Sequence, residues 1–319
     1  MMEKPSRILS GWRYPALILT LILSISGYFF MTVWGGWHKV AAAVETVGYA
    51  TIALALTIAC TSYFLRFLRW KYFLGELGYH LPFFLHLRLY ISGFSLTITP
   101  AKAGETLRCL FLSDKGVAYR SSVGAQLAER FSDLIAVVIL SIGGLAVYRD
   151  IWPVIVTTSI FIAFILYATQ QQKWLLALER YLQKRVHNRF AESLAFILDT
   201  MLAFRACFRL KALIIGIGIG CFAWGLEGLI LWLLLKAMAV PLPLVTAIFI
   251  QAFALLIGAL SFLPGGLGGA EAVLYKLTVL NGIPQASAIA ATVLLRLCTL
   301  WFSVGLGLLC LPKKRQSTK

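Results

Sequence analysis

Apolar runs fill most of this chain, and two of them are broken at their centres by proline, glycine and charge. The unbroken runs lie at about 15–34, 47–65, 121–147, 151–169, 212–236 and 284–311. A membrane-spanning helix needs roughly 20 mostly apolar residues, so these runs predict six full crossings. Segments 83–112 and 244–280 are apolar at their ends and too polar at their centres for one clean helix. The first carries Pro100-Ala101-Lys102-Ala103-Gly104-Glu105 and then Arg108; the second carries Pro264-Gly265-Gly266-Leu267-Gly268-Gly269-Ala270-Glu271. Such breaks leave backbone groups unsatisfied, which hydrocarbon tolerates only where protein or water covers them. Each segment therefore reads as a re-entrant hairpin of two short helices, with Pro100, Gly104, Pro264, Gly265, Gly266 and Gly268 at the breaks. The predicted fold class is an all-α integral membrane protein, a single polytopic membrane domain over 1–319.

Two further stretches need separate reading. In 173–206, Trp174, Leu178, Leu182, Val186, Phe190, Leu194, Ile197 and Met201 recur near helical spacing, with Lys173, Arg180, Lys184, Arg185 and Arg189 between them. This predicts a cytoplasmic amphipathic helix. Its apolar stripe suits an anionic leaflet and equally suits the bundle, because periodicity does not name the buried partner. The N-terminus has Lys4, Arg7 and Arg13, then an apolar run, then Ala41-Ala42-Ala43, as a signal peptide would. The run from Pro15 to Trp34 is 20 residues long. A signal-peptide core has about 7–15, so an uncleaved first helix is expected.

Composition supports the membrane reading. Apolar residues make up 60% of the chain and charged residues 13%, against roughly 45–50% and about 25% in soluble domains. No hydrophilic stretch is long enough for an appended catalytic domain. The net charge of +16 is read through the positive-inside rule, not as nucleic-acid binding, for which no motif is present. With the N-terminus in the cytoplasm, 23 of the 29 Lys and Arg fall on cytoplasmic segments. Both termini are then cytoplasmic, and the protein belongs in a cytoplasmic (inner) membrane. Three crossings separate the two hairpins, so the first opens from the cytoplasm and the second from outside. That is an inverted repeat, the arrangement associated with alternating access.

The candidate chemistry lies where charge meets the broken segments. Glu105 to Arg130 is 25 positions, and Glu271 to Arg296 is also 25. Arg130 and Asp133 share a helical face at i and i+3. Arg296 stands twelve residues into its apolar run with no neutralising neighbour in sequence, and Glu271 is its natural partner. One reading is a structural Arg–Glu pair. The other is a cationic pocket for a phosphate head group, which suits the planar arginine fork and a glycine-rich helix N-terminus. The candidate substrate-binding set is Glu105, Arg108, Arg130, Asp133, Glu271 and Arg296. Lys102 lies in the first break and could join it. Glu227 either faces the pocket or pairs with Lys236. Arg66 and Arg69, at the end of the second crossing, are expected to be inner-leaflet anchors.

Catalysis finds little support. The run Gly265 to Gly269 lacks the G-K-[ST] ending of a phosphate-binding loop and any strand-to-helix setting. No nucleophile–His–acid arrangement or H-E-x-x-H is present. The six cysteines form no C-x-x-C pair and read as small buried hydrophobes. The four histidines are scattered. No metal site, no cofactor and no enzyme activity are expected.

The chain resembles the lysylphosphatidylglycerol synthase/flippase transmembrane-domain family. The resemblance rests on Pro100, Gly104, Glu105 and Arg108, on the pair Glu129-Arg130, and on Leu263-Pro264-Gly265-Gly266-Leu267-Gly268 with Glu271 and the downstream Arg296. It implies a flippase moving an anionic phospholipid, glycolipid or polyprenyl-linked lipid between leaflets. Fused members of the family also carry a soluble synthase domain, which has no counterpart here. Membrane lipids are the expected partners, with a lipid-biosynthesis enzyme as a further one. The alternatives are an accessory protein that scaffolds such an enzyme and transports nothing, and a membrane transferase acting on lipid phosphates.

Overall fold

The computed structural model describes residues 37–99, 105–144, 148–171, 177, 189–261 and 263–312. Among them every regular element is helical. The expected first crossing, 15–34, lies outside the described residues, as do Pro100 and Gly104.

Helix α1 spans Trp37–Glu76, 40 residues with a break at Gly48 (φ 71°, ψ 156°). It begins between the first two expected crossings and ends eleven residues past the expected end at 65. The cause of the extension is packing. Phe67, Trp70, Phe73 and Leu74 are buried one turn apart beyond that point, so the helix continues along the bundle instead of stopping at its surface.

Helix α2 (Phe83–Ser92) starts directly after Pro82 and tightens into a 3₁₀ turn, Gly93–Leu96. Helix α3 (Leu107–Ser113) follows the first break, and α4 (Tyr119–Ile142) the next turn. Helix α4 stops short of the expected 147, at Gly143-Gly144. Helix α5 is Trp152–Gln170, with Pro153 in its first turn, where a missing N–H costs nothing. Helix α6 is Arg189–Cys207, and α7 is Leu210–Ala237. The second broken segment resolves into α8 (Leu244–Leu260), a 3₁₀ turn at Pro264–Gly266, and α9 (Gly269–Leu280), which packs back on α8. Helix α10 (Gln285–Arg296) runs through a π turn, Leu297–Trp301, into α11 (Phe302–Leu309). The expected crossing at 284–311 is one helical stretch, 285–309, with a π turn immediately after Arg296.

Among the described residues, four helical stretches are long and apolar enough to cross a membrane: 37–76, 152–170, 210–237 and 285–309. Helix α4 is long enough, but Glu129, Arg130 and Asp133 break its apolar run. It is the centre of the bundle, packed by α1, α3, α5, α6, α7 and α8. Small residues on it (Gly124, Ala125, Ala128, Ser132, Ala136) are buried and let backbones approach closely, as membrane helix interfaces require.

Helix α6 covers the described part of the expected amphipathic segment. Leu198, Thr200, Ala203, Phe204 and Cys207 of this helix are all buried, and Thr200 and Ala203 lie against Gly124 of α4. Phe204 stacks on Phe208 at 4.6 Å and meets Phe131 edge-on at 5.8 Å. Ile197, from the apolar stripe read as suited to either the leaflet or the bundle, is 47% exposed, so at that position the stripe does not pack on the bundle. The bundle therefore takes the other side of this helix. The cysteine expectation also needs correction: Cys109, Cys207 and Cys298 are buried, whereas Cys60 is exposed.

The closest backbone approach brings α11 onto the turn at the end of α2. A Cβ at Gly307 would stand 2.2 Å from the Ser95 nitrogen, whereas one at Gly305 would meet nothing within 4 Å. Gly307→Ala should therefore destabilise the detergent-purified protein by about 1–3 kcal/mol. Gly305→Ala should be neutral or slightly stabilising, by up to about 1 kcal/mol. Thermal melts of the two variants test this, and equal melting temperatures would refute the packing.

Candidate functional site

The second break shows how glycine makes the site. Gly265, Gly266 and Gly268 all have positive φ (62°, 68° and 84°), a region that side chains resist. The turn also lies against α8: a Cβ on Gly266 would come within 3.1 Å of the Gly258 Cα. It delivers Glu271 to the third position of α9, where its Oε2 accepts a 2.7 Å hydrogen bond from the Gly268 N–H. A carboxylate there also meets the positive end of the helix dipole. The amide expected to await a phosphate at this N-terminus is thus occupied by the protein's own acid.

The other oxygen of Glu271 faces Arg296, with Oε1 2.7 Å from Nε. The N–H points off the line between them, so this is an ion pair without a linear hydrogen bond. Both side chains are buried. The π turn after Arg296 aims the Thr299 carbonyl at the Tyr63 hydroxyl, which donates to it. A π turn is a common device at functional positions, and nothing in the local sequence signalled it.

The first half repeats the pairing. Arg130 Nη2 lies 3.4 Å from Glu105 Oε2, so in both halves a glutamate after the break meets the arginine 25 positions on. Here the pair belongs to a larger cluster. Arg130 also stands 3.4 Å from Glu129 and 3.4 Å from Asp133, the expected i, i+3 contact. Arg69 reaches Asp133 at 2.6 Å and Glu129 at 3.6 Å. Arg108 pairs with Glu129 and lies 4.0 Å over the Trp70 ring. Neutral donors complete the acids: Tyr90 to Glu129 (2.8 Å), Trp224 to Asp133 (2.8 Å) and Thr97 to Glu105 (3.0 Å). Three arginines thus face three carboxylates.

This arrangement corrects the expectation for Arg66 and Arg69. Neither is a leaflet anchor; their exposures are 4% and 0%. The signal was in the periodicity. Ala55, Ala59, Ser62, Arg66, Arg69 and Phe73 recur every three or four residues and form one buried face of α1.

Beside the cluster lies a small cleft, with Tyr63, Arg66, Glu105, Trp224, Glu227 and Arg296 in its walls. Of the six candidate binding residues, Glu105 and Arg296 line it, while Arg108, Arg130, Asp133 and Glu271 stand behind as their partners or in the cluster. Glu227 faces the cleft and accepts a 3.1 Å hydrogen bond from Gln251. Lys236 instead lies over the Trp232 ring at 4.6 Å. The residues that sequence reasoning missed are Arg66, Tyr63 and Trp224. The described residues hold no group of three His, Cys, Asp or Glu suited to a metal ion.

Comparison with known proteins gives the family. The profile of the lysylphosphatidylglycerol synthase TM region matches residues 17–307. The chain belongs to this family. Its relatives include a UPF0104 membrane protein of Methanothermobacter thermautotrophicus, 25% identical over 92% of this chain and 90% of that one. Another, from Pyrococcus horikoshii, is 22% identical over 93% of this chain and 97% of its own length. It is therefore a membrane protein of a family tied by name to lipid chemistry.

The cluster predicts an asymmetry between buried and exposed pairs. Glu129→Gln removes the carboxylate shared by Arg69, Arg108 and Arg130 and should cost about 3–5 kcal/mol of stability, since it leaves buried charge uncompensated. Arg120→Gln breaks a 2.7 Å pair with Asp199 whose side chains are 43% and 49% exposed. It should cost under about 1 kcal/mol. Denaturation in detergent compares them directly; a Glu129→Gln protein as stable as Arg120→Gln would refute the cluster's role.

Proposed function

We propose that this protein is a lipid flippase that moves an anionic phospholipid, glycolipid or polyprenyl-linked lipid between the leaflets of a cytoplasmic membrane. The observation that carries the reading is the charged cleft. A space lined by Arg66, Arg296, Glu105 and Glu227 lies within a bundle whose outer surface carries exposed Phe161, Phe164, Tyr167, Ile214 and Phe222. Ionisable groups at such depth usually mark a substrate path. In this reading a phosphate head crosses through the cleft while the tails remain in hydrocarbon. The partners are membrane lipids, and an enzyme of lipid biosynthesis would supply them. No catalytic group and no cofactor are required.

The broken segments give the mechanism its moving parts. In the proposal α2 with α3, and α8 with α9, are re-entrant hairpins that enter from opposite faces. Six full crossings complete the bundle, and both termini are cytoplasmic. Glu105 and Glu271 then act as equivalent latches on Arg130 and Arg296. Release of one latch and closure of the other would expose the cleft to one leaflet at a time, which is how inverted repeats achieve alternating access.

The test is lipid translocation in reconstituted vesicles, normalised to folded protein. Removing the latch with Arg296→Leu and Glu271→Leu together should leave a protein that inserts, because a buried pair can often be replaced by apolar residues. It should abolish translocation. Arg296→Lys should retain part of the rate, because a point charge replaces a fork. Wild-type translocation by the double variant would reduce the pair to a packing device.

A further inference from the structure

We propose that Arg66 is the seat for the anionic group that enters the cleft, and that this group is a singly charged phosphodiester; the lipid identity of its carrier rests on the flippase reading, the seat itself does not. The four other arginines of the site, Arg69, Arg108, Arg130 and Arg296, each lie within 3.6 Å of a carboxylate. Arg66 has no carboxylate within ion-pair distance among the described residues, although it is only 4% exposed. Its Nε has no hydrogen-bond partner. What holds it is aromatic: its guanidinium carbon lies 4.6 Å from the Trp224 ring and 5.5 Å from the Phe94 ring.

Aromatic contact leaves much of a guanidinium unsatisfied. Ring faces interact with the cation's charge, but all five of its N–H donors lie in its own plane and point outward. A buried donor without an acceptor is costly, and here the group lines the cleft. The planar fork matches two oxygens of a phosphate or carboxylate. Trp224 is itself fixed by its 2.8 Å bond to Asp133, so the ring that carries Arg66 is anchored in the closed cluster.

The same walls set the charge of the ligand. Glu105 and Glu227 face the cleft along with Arg66 and Arg296, and Arg296 is already engaged by Glu271. Arg66 is thus the cation of this wall that no carboxylate holds, and Glu227 brings a negative charge beside it. These surroundings favour the ligand of lower charge, and a phosphodiester carries one negative charge. A phosphomonoester, with up to two, would bring its second charge against two carboxylates.

The experiment measures binding, not transport, on the full chain in detergent by native mass spectrometry. Its probes are dihexanoyl phosphatidylglycerol (a diester), dihexanoyl phosphatidic acid (a monoester) and inorganic phosphate. Arg66→Gln should weaken diester binding by about tenfold or more, the scale of a lost charge-assisted hydrogen bond. Lys211→Gln, at the exposed start of α7, should leave it unchanged. The monoester should bind more weakly than the diester to the wild-type protein. Should Arg66→Gln not fold, Arg66→Lys decides, with an expected loss of about threefold or more because the fork is gone. Unchanged diester affinity in the variant that folds would overturn the seat, and tighter monoester binding would overturn the phosphodiester assignment. Competition by inorganic phosphate at millimolar concentration, lost in the Arg66 variant, would uphold the seat while removing the lipid reading. Binding that depends on Arg66 without any translocation by the wild type would do the same to the flippase.

Discussion

Taking Glu129, Arg130 and Asp133 out of water costs several kcal/mol per ion, and the helices around α4 are placed so as to offset that cost. Arg69 comes from α1, Arg108 from α3, and Glu105 from the turn before α3. Tyr90 of α2 and Trp224 of α7 add neutral hydrogen bonds. No single helix could satisfy these groups, because adjacent residues such as Glu129 and Arg130 do not share a face of α4. The cluster thus fixes how five segments meet. The small residues along α4 then let the backbones come close enough for the ion pairs to form.

Charge is divided between two regions. The cluster behind the cleft holds three arginines and three carboxylates in mutual contact. The cleft in front holds a cation supported by aromatic rings, an arginine tied to Glu271, and two acids. A closed, balanced network is stiff, whereas an open one can exchange partners with something that arrives. Glu105 belongs to both regions, and Arg296 joins the cleft to the second broken segment through Glu271. That gives the two halves of the chain a shared interior.

Much of this was legible in the sequence, and the failures have physical causes. The glycines at 265, 266 and 268 announced a backbone that other residues could not adopt, and the turn has that geometry. The repeated 25-residue spacing anticipated which glutamate meets which arginine, because an isolated guanidinium in an apolar helix must find a distant acid. Arg66 and Arg69 were misplaced because a charge near the end of an apolar run looks like a leaflet anchor, and only the buried face of α1 shows that the helix goes on. On α6 the periodicity left open which partner the apolar stripe meets: Phe131 and Phe208 pack on Phe204, outside that stripe, and such tertiary choices leave no trace in a local pattern. The π turn after Arg296 and the break at Gly48 had no local signal either.

The central claim is that the cleft receives a phosphate head while the rest of the lipid stays outside the bundle. Electron cryo-microscopy of the full chain in nanodiscs rich in phosphatidylglycerol examines this most directly. The account predicts phosphate density in the plane of the Arg66 guanidinium, with acyl density leaving the cleft toward the bilayer. A cleft containing only water, with Arg66 turned onto Glu105 or Glu227 and lipids confined to the outer surface of the bundle, would contradict it.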